Sequence, residues 1–196
     1  MRPRSRLARA AEAIQPLRQG QLDALCGLYS IINGLQLVLH SSQPLRPSQR
    51  RRLYRHGLKW LANNEELLSA VSVGMEELTW RRLAGELLRE VERVTGHAVT
   101  RSYPLRGKAP LTSDAIAAEL KSSLRKGRPV LLGLLVTYDH YTVAYGFDAK
   151  RLLLFDSIGR RWIKFASLSQ HRSEVGGGHQ VNPMGVMALS LDHVPP

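Results

Sequence analysis

Apolar residues recur at intervals of three and four between positions 24 and 40: Leu28, Ile31, Ile32, Leu35, Val38 and Leu39. That period predicts a helix buried on nearly all sides, the central helix of its fold. Pro44 and Pro47 break it. A second helix is expected over residues 48–63, capped by Ser48 and packed through Leu53, Leu58, Trp60 and Leu61. A third, over residues 75–95, puts Leu78, Leu83, Leu87, Leu88, Val91 and Val94 on one stripe, and Gly96 ends it. Residues 1–20 lack a strong apolar period and read as a basic arm or a short helix.

Beyond Gly96 the period changes. A short strand is expected over residues 98–103, then a helix over residues 115–126 with Thr112-Ser113-Asp114 at its start and Gly127 and Pro129 past its end. Apolar runs at residues 130–136, 140–147 and 151–156 read as three strands, the last two joined by a turn at 148–150. Residues 162–165 and 185–191 add two more, and the polar stretch 169–182, with Gly176-Gly177-Gly178, reads as loop. Helices first and an antiparallel sheet after them is an α+β order. A chain of 196 residues is expected to form one domain (1–196), with a basic arm to residue 18, a mainly helical part at 19–127 and a mainly antiparallel sheet at 128–196.

The hydrophobic fraction of 43% is ordinary for a soluble protein, and no apolar run reaches membrane-spanning length. The basic opening residues have no apolar stretch behind them, which argues against a Sec signal. The expectation is a soluble protein, cytoplasmic or exported by a non-Sec route. A net charge of +12, with arginines crowded at 46–55, favours an acidic protein partner or a plain solvated face. Nucleic acid is disfavoured, since aromatic residues make up 6% of the chain and do not interleave with the basic ones.

Cys26 is the only cysteine, so no internal disulfide exists and the residue is either a buried hydrophobe or a nucleophile. It stands where a polar, glycine-bearing approach gives way to the first helix, and a helix start favours thiolate over thiol. A nucleophilic thiol needs a base. Among seven histidines only His140 opens a strand-forming segment, where it would be held rigidly, and His179 in the glycine-rich loop is its rival. His140 needs a carboxylate on its other ring nitrogen, and Asp156 closes the next strand after four apolar residues. The alternative for Asp156 is a turn-capping role before Ser157-Ile158-Gly159. Asp139 is disfavoured as the orienter, because neighbouring strand residues face opposite ways. The Cys26 backbone N–H and a side-chain amide would meet the oxyanion, with Gln21 the first candidate and Gln19 the reserve. Asn33, on an apolar helix face, reads as a satisfied core amide.

Gln21, the Cys26-Gly27 pair, His140 and Asp156 together resemble the papain-like cysteine peptidases, and most closely the peptidases that remove double-glycine leaders from bacteriocin precursors. The resemblance covers residues 19–45 and 128–160. It departs from that family at Leu25, where an Asp is usual, and in the spacing of its glutamine. It implies a papain-like fold and a cysteine protease with a Cys-His-Asp triad. No metal or organic cofactor is implied. Cleavage would follow a small residue, glycine above all, in a narrow slot for which Tyr138, Tyr141 and Trp162 are candidate walls. It further implies a stand-alone bacterial effector or toxin, with a cognate inhibitor or immunity protein as a second partner. Two alternatives use other premises: a protein glutamine deamidase or transglutaminase-like enzyme with the same residues, and a non-catalytic basic binding module.

Overall fold

The computed structural model describes residues 5–108, 110–170 and 178–192. Its first helix, α1 (Arg6–Ala13), is capped by Ser5, whose hydroxyl accepts from the Ala8 N–H at 3.1 Å, and it buries Leu7 and Ala10. The basic arm is thus partly a docked helix. α2 (Cys26–Leu39) has thirteen buried positions of its fourteen, as the near-continuous apolar pattern requires. α3 (Pro47–Asn63) begins one residue before the expected Ser48 cap. Arg46 is the N-cap, Pro47 takes the first helical position, and the Gln49 side chain accepts from the Arg46 N–H at 2.8 Å. Proline suits that place because its missing N–H would have been unpaired there in any case.

A short helix unforeseen in the sequence, α4 (Leu67–Ser72), precedes α5 (Glu77–Thr95), which starts two residues later than its stripe suggests. Met75 is left in the connecting loop with Glu76 as the N-cap. Next come β1 (Val99–Ser102) and α6 (Ser113–Arg125), the latter capped by the Thr112 hydroxyl. The remaining strands are β2 (Val130–Leu134), β3 (His140–Phe147), β4 (Arg151–Leu154), β5 (Trp162–Lys164), β6 (Leu168–Ser169), β7 (His179–Gln180) and β8 (Val186–Leu191). Six of them form one antiparallel sheet in the order β1-β8-β2-β3-β4-β5, with Leu134 paired to His140. The other two make a small parallel pair inside the stretch expected to be loop. Gly176 and Gly177 of that stretch lie outside the described residues.

α2 lies across β2, β3 and β8. Gly34 allows the close approach: a Cβ there would stand 2.7 Å from Leu131 Cδ1 and 3.1 Å from Leu189 Cδ1. The buried apolar side chains form one contiguous cluster between the helices and this sheet. Among the described residues no helix is long and apolar enough to cross a membrane.

Candidate active site

The approach to α2 is organised by Asp23. Its carboxylate accepts from the Gly20 N–H at 2.9 Å and the Leu25 N–H at 3.1 Å, while its carbonyl accepts from the Gln19 side-chain amide. Cys26 follows as the first residue of α2, 6% exposed, among the N–H groups that no upstream helical carbonyl can accept. Gly27 keeps the space beneath it tight: a Cβ there would lie 3.1 Å from the Trp80 ring and 3.4 Å from both Met75 and Tyr141. Trp80 donates its indole N–H to the Gly27 carbonyl and the Ser30 hydroxyl, each at 3.2 Å, and stacks on Tyr141 with ring centroids 4.6 Å apart. The first turn of α2 is therefore pinned from α5 and β3. Neither contact is legible in local sequence.

His140 is the first residue of β3 and is buried. Its Nε2 lies 2.7 Å from Asp156 Oδ2, which leaves Nδ1 for Cys26, a side chain near enough to act on the ring's charge. Asp156 does two things at once. Its Oδ1 accepts from the Ile158 N–H at 2.9 Å and the Arg160 N–H at 3.1 Å, so the turn-capping role and the orienting role fall on different oxygens of one carboxylate. Asp139 does not share in this. It precedes β3, and its Oδ1 accepts from the Val136 N–H at 3.3 Å.

These contacts set the charges. Burial alone would lower the His140 pKa, but the hydrogen-bonded Asp156 carboxylate and the neighbouring Cys26 side chain overcome it and raise the value to about 9. Burial alone would raise Asp156, yet His140 and the turn N–H groups hold it below the ordinary carboxylate value. A raised histidine adds stability that is complete below its unfolded pKa of 6.5 and is lost as the pH climbs to about 9. A depressed carboxylate adds stability that is lost as the pH falls through its folded pKa. Urea unfolding should therefore give a lower free energy at about pH 9.5 than at about pH 6. His140→Gln should flatten that alkaline slope. An unchanged slope in the variant would show that His140 is not held protonated.

A cavity of about 470 Å³ opens over Cys26 and His140. Gln19, Gly74, Glu76, Tyr138, Asp139 and Tyr141 are among its walls. The amide at its edge is thus Gln19, not the expected Gln21. Gln21 is exposed and does not line the cavity, because the turn around Asp23 carries it outward. Gln19 is instead anchored by its backbone N–H, which donates to the Ser157 carbonyl at 3.1 Å. One hydrogen of its side-chain amide goes to the Asp23 carbonyl, which leaves a second hydrogen on the same nitrogen.

His179 is no substitute base. It sits in β7 against the Tyr138 ring, centroids 4.4 Å apart, and does not line the cavity. Burial, helped by the nearby Arg160 charge, lowers its pKa. Trp162, a candidate wall, lies on strand β5 beneath the Arg151 guanidinium and is also outside the lining. Strand β2 stops at Leu134 rather than at Val136, which takes φ +76° in the loop that returns the chain to His140. Asn33 accepts from the Leu17 N–H at 2.8 Å and from the Gln36 amide at 2.9 Å, a fully engaged core amide. Among the described residues no three His, Cys, Asp or Glu side chains gather as metal ligands. Comparison of the chain with protein-family models, curated proteins and solved structures finds no match.

Proposed function

We propose that this protein is a papain-like cysteine hydrolase that cleaves protein substrates through Cys26, His140 and Asp156. The observation that carries the reading is His140, buried at the start of β3, bonded to a carboxylate and lining one open cavity with the only thiol of the chain. In this mechanism His140 already carries the proton of the pair, and the Cys26 sulfur attacks a carbonyl carbon. The resulting oxyanion meets the Cys26 N–H and the spare N–H of Gln19. His140 then returns the proton to the leaving amine, which departs and leaves a thioester. Water, deprotonated by His140, attacks the thioester and releases the acid and the thiol.

Tyr138 and Tyr141 support a narrow slot before the cut bond, where glycine would fit best. An acidic partner, whether substrate body or inhibitor, is supported by α3. That helix has no acidic residue, and a groove of about 460 Å³ beside it has an apolar floor of Leu17, Tyr29 and Tyr54 under Arg50, Arg51 and Arg55. None of those residues lines the cavity over Cys26. A glutamine deamidase would use the same steps on a side-chain amide, with ammonia as the leaving group.

The test treats a protein mixture with the wild-type chain and with Cys26→Ala, and reads the products by mass spectrometry. New termini made only by the wild type support the peptidase. Intact proteins heavier by about one dalton at glutamine make it a deamidase instead. No difference between the two samples, together with no labelling of Cys26 by an iodoacetamide probe in the folded protein, overturns the hydrolase reading.

A further inference from the structure

The chain carries a net charge of +12, yet no lysine or arginine lines the cavity over Cys26 among the described residues. Apart from His140, its charged walls are Glu76 and Asp139. They come from different parts of the fold: Glu76 caps α5 and Asp139 precedes β3. Both are exposed, and no described lysine or arginine pairs with either. Glu77 lies behind them, its carboxylate turned toward Gly185. Arg160 lies flat over the Tyr138 ring, 3.2 Å from its centroid, and is not part of the lining.

Two further observations agree on the sign. Tyr141, on the cavity wall, has its ionisation opposed first by burial and then by neighbouring charges that include the Glu77, Glu76 and Asp139 carboxylates. Gln19, on the same wall, has a side-chain oxygen that is buried and accepts no hydrogen bond. The carboxylates on the cavity lining are opposite in sign to the net charge of the molecule.

We propose that Glu76 and Asp139 make the cleft select a cationic side chain, lysine or arginine, in the substrate segment beside the carbonyl that Cys26 attacks. The proposal rests on the thiol-hydrolase reading above and adds a substrate class to it. An ammonium or guanidinium entering the cavity meets carboxylates that no described lysine or arginine neutralises, while an acidic side chain is repelled there whatever draws its parent protein to α3. A substrate with an acidic body and a basic reacting segment fits both surfaces.

Cys26, as the sole cysteine, permits a direct test with three methanethiosulfonates: 2-aminoethyl (cationic), methyl (neutral) and 2-sulfonatoethyl (anionic). Each transfers its thioalkyl group to the thiolate, forming a mixed disulfide and releasing methanesulfinate. Modification rates are read by intact mass and divided by the rates with 2-mercaptoethanol, which removes intrinsic differences between reagents. The net charge predicts that the anionic reagent is faster. The cleft predicts that the cationic one is faster, by about ten-fold at low salt, with the ratio shrinking as salt is added. Glu76→Gln and Asp139→Asn keep the side-chain shapes, and each should bring the ratio part of the way to one, the pair of them nearly all the way. An anionic preference, or a ratio that neither variant moves, overturns the proposal and leaves the hydrolase reading standing. Failure of all three reagents to modify the folded protein overturns both.

Discussion

Cys26→Ala and His140→Ala are each expected to abolish turnover, by about 10⁴- to 10⁶-fold, while urea unfolding remains cooperative. The nucleophile and its base act as one unit, so the loss of either removes nearly the whole effect. Asp156 separates two roles. Asp156→Ala removes both the partner of His140 and the acceptor of the Ile158 and Arg160 N–H groups, and so should cost stability as well as rate. Asp156→Asn can satisfy only one side, because its amide nitrogen must face either the turn or His140. If it keeps the turn, it donates to Nε2 and forces the proton onto Nδ1, the nitrogen that should receive the Cys26 proton. Turnover should then fall by up to about 10⁴-fold with a smaller change in stability than alanine causes. The measurement is turnover of a processed protein identified by mass spectrometry, beside unfolding curves of each variant. Near-normal turnover by His140→Ala would remove the base assignment, and the position of His179 outside the cavity offers no replacement.

The second large effect is expected at Gln19. Gln19→Ala should lower kcat by about 100- to 1,000-fold with little change in KM, as the loss of one oxyanion donor does. Gln21→Ala should stay within about two-fold of wild type, since its side chain is exposed away from the cavity. The two glutamines are two residues apart, so each variant serves as the control for the other. A KM effect at Gln19 without a kcat effect would make it a substrate-binding residue, and an effect at Gln21 alone would return the donor role to that position.

The confusion between these two positions shows where sequence reading loses its grip. Residues 19–25 have no helical or strand period, so nothing local says which side chain faces the thiol. The Asp23 hydrogen bonds decide it. Cys26, His140 and Asp156 are legible because each sits at the edge of an apolar run: the start of α2, the start of β3, and two residues past β4, which ends at Leu154 rather than at Asp156 as expected. Strand β3 runs over residues 140–147, as its apolar pattern implies. Helix α4 escapes because six residues are too few to display a period. The end of β2 is hidden because Val136, a β-branched residue, adopts a left-handed backbone against its own preference. Trp80 and Glu76 reach the site from a helix fifty residues downstream of the thiol, and only tertiary contact reveals them.

The turn after Asp156 fastens both halves of the site. Ile158 and Arg160 donate to the carboxylate that holds His140, and the Ser157 carbonyl receives the backbone of Gln19. Base and oxyanion donor are thus set out from one datum. A surface turn of this size is ordinarily where a chain tolerates inserted or deleted residues. Here a single extra residue between Asp156 and Arg160 would leave the strands intact and shift His140 and Gln19 out of alignment together. Over evolutionary time this turn should hold both its length and Gly159, whose φ of +93° suits glycine.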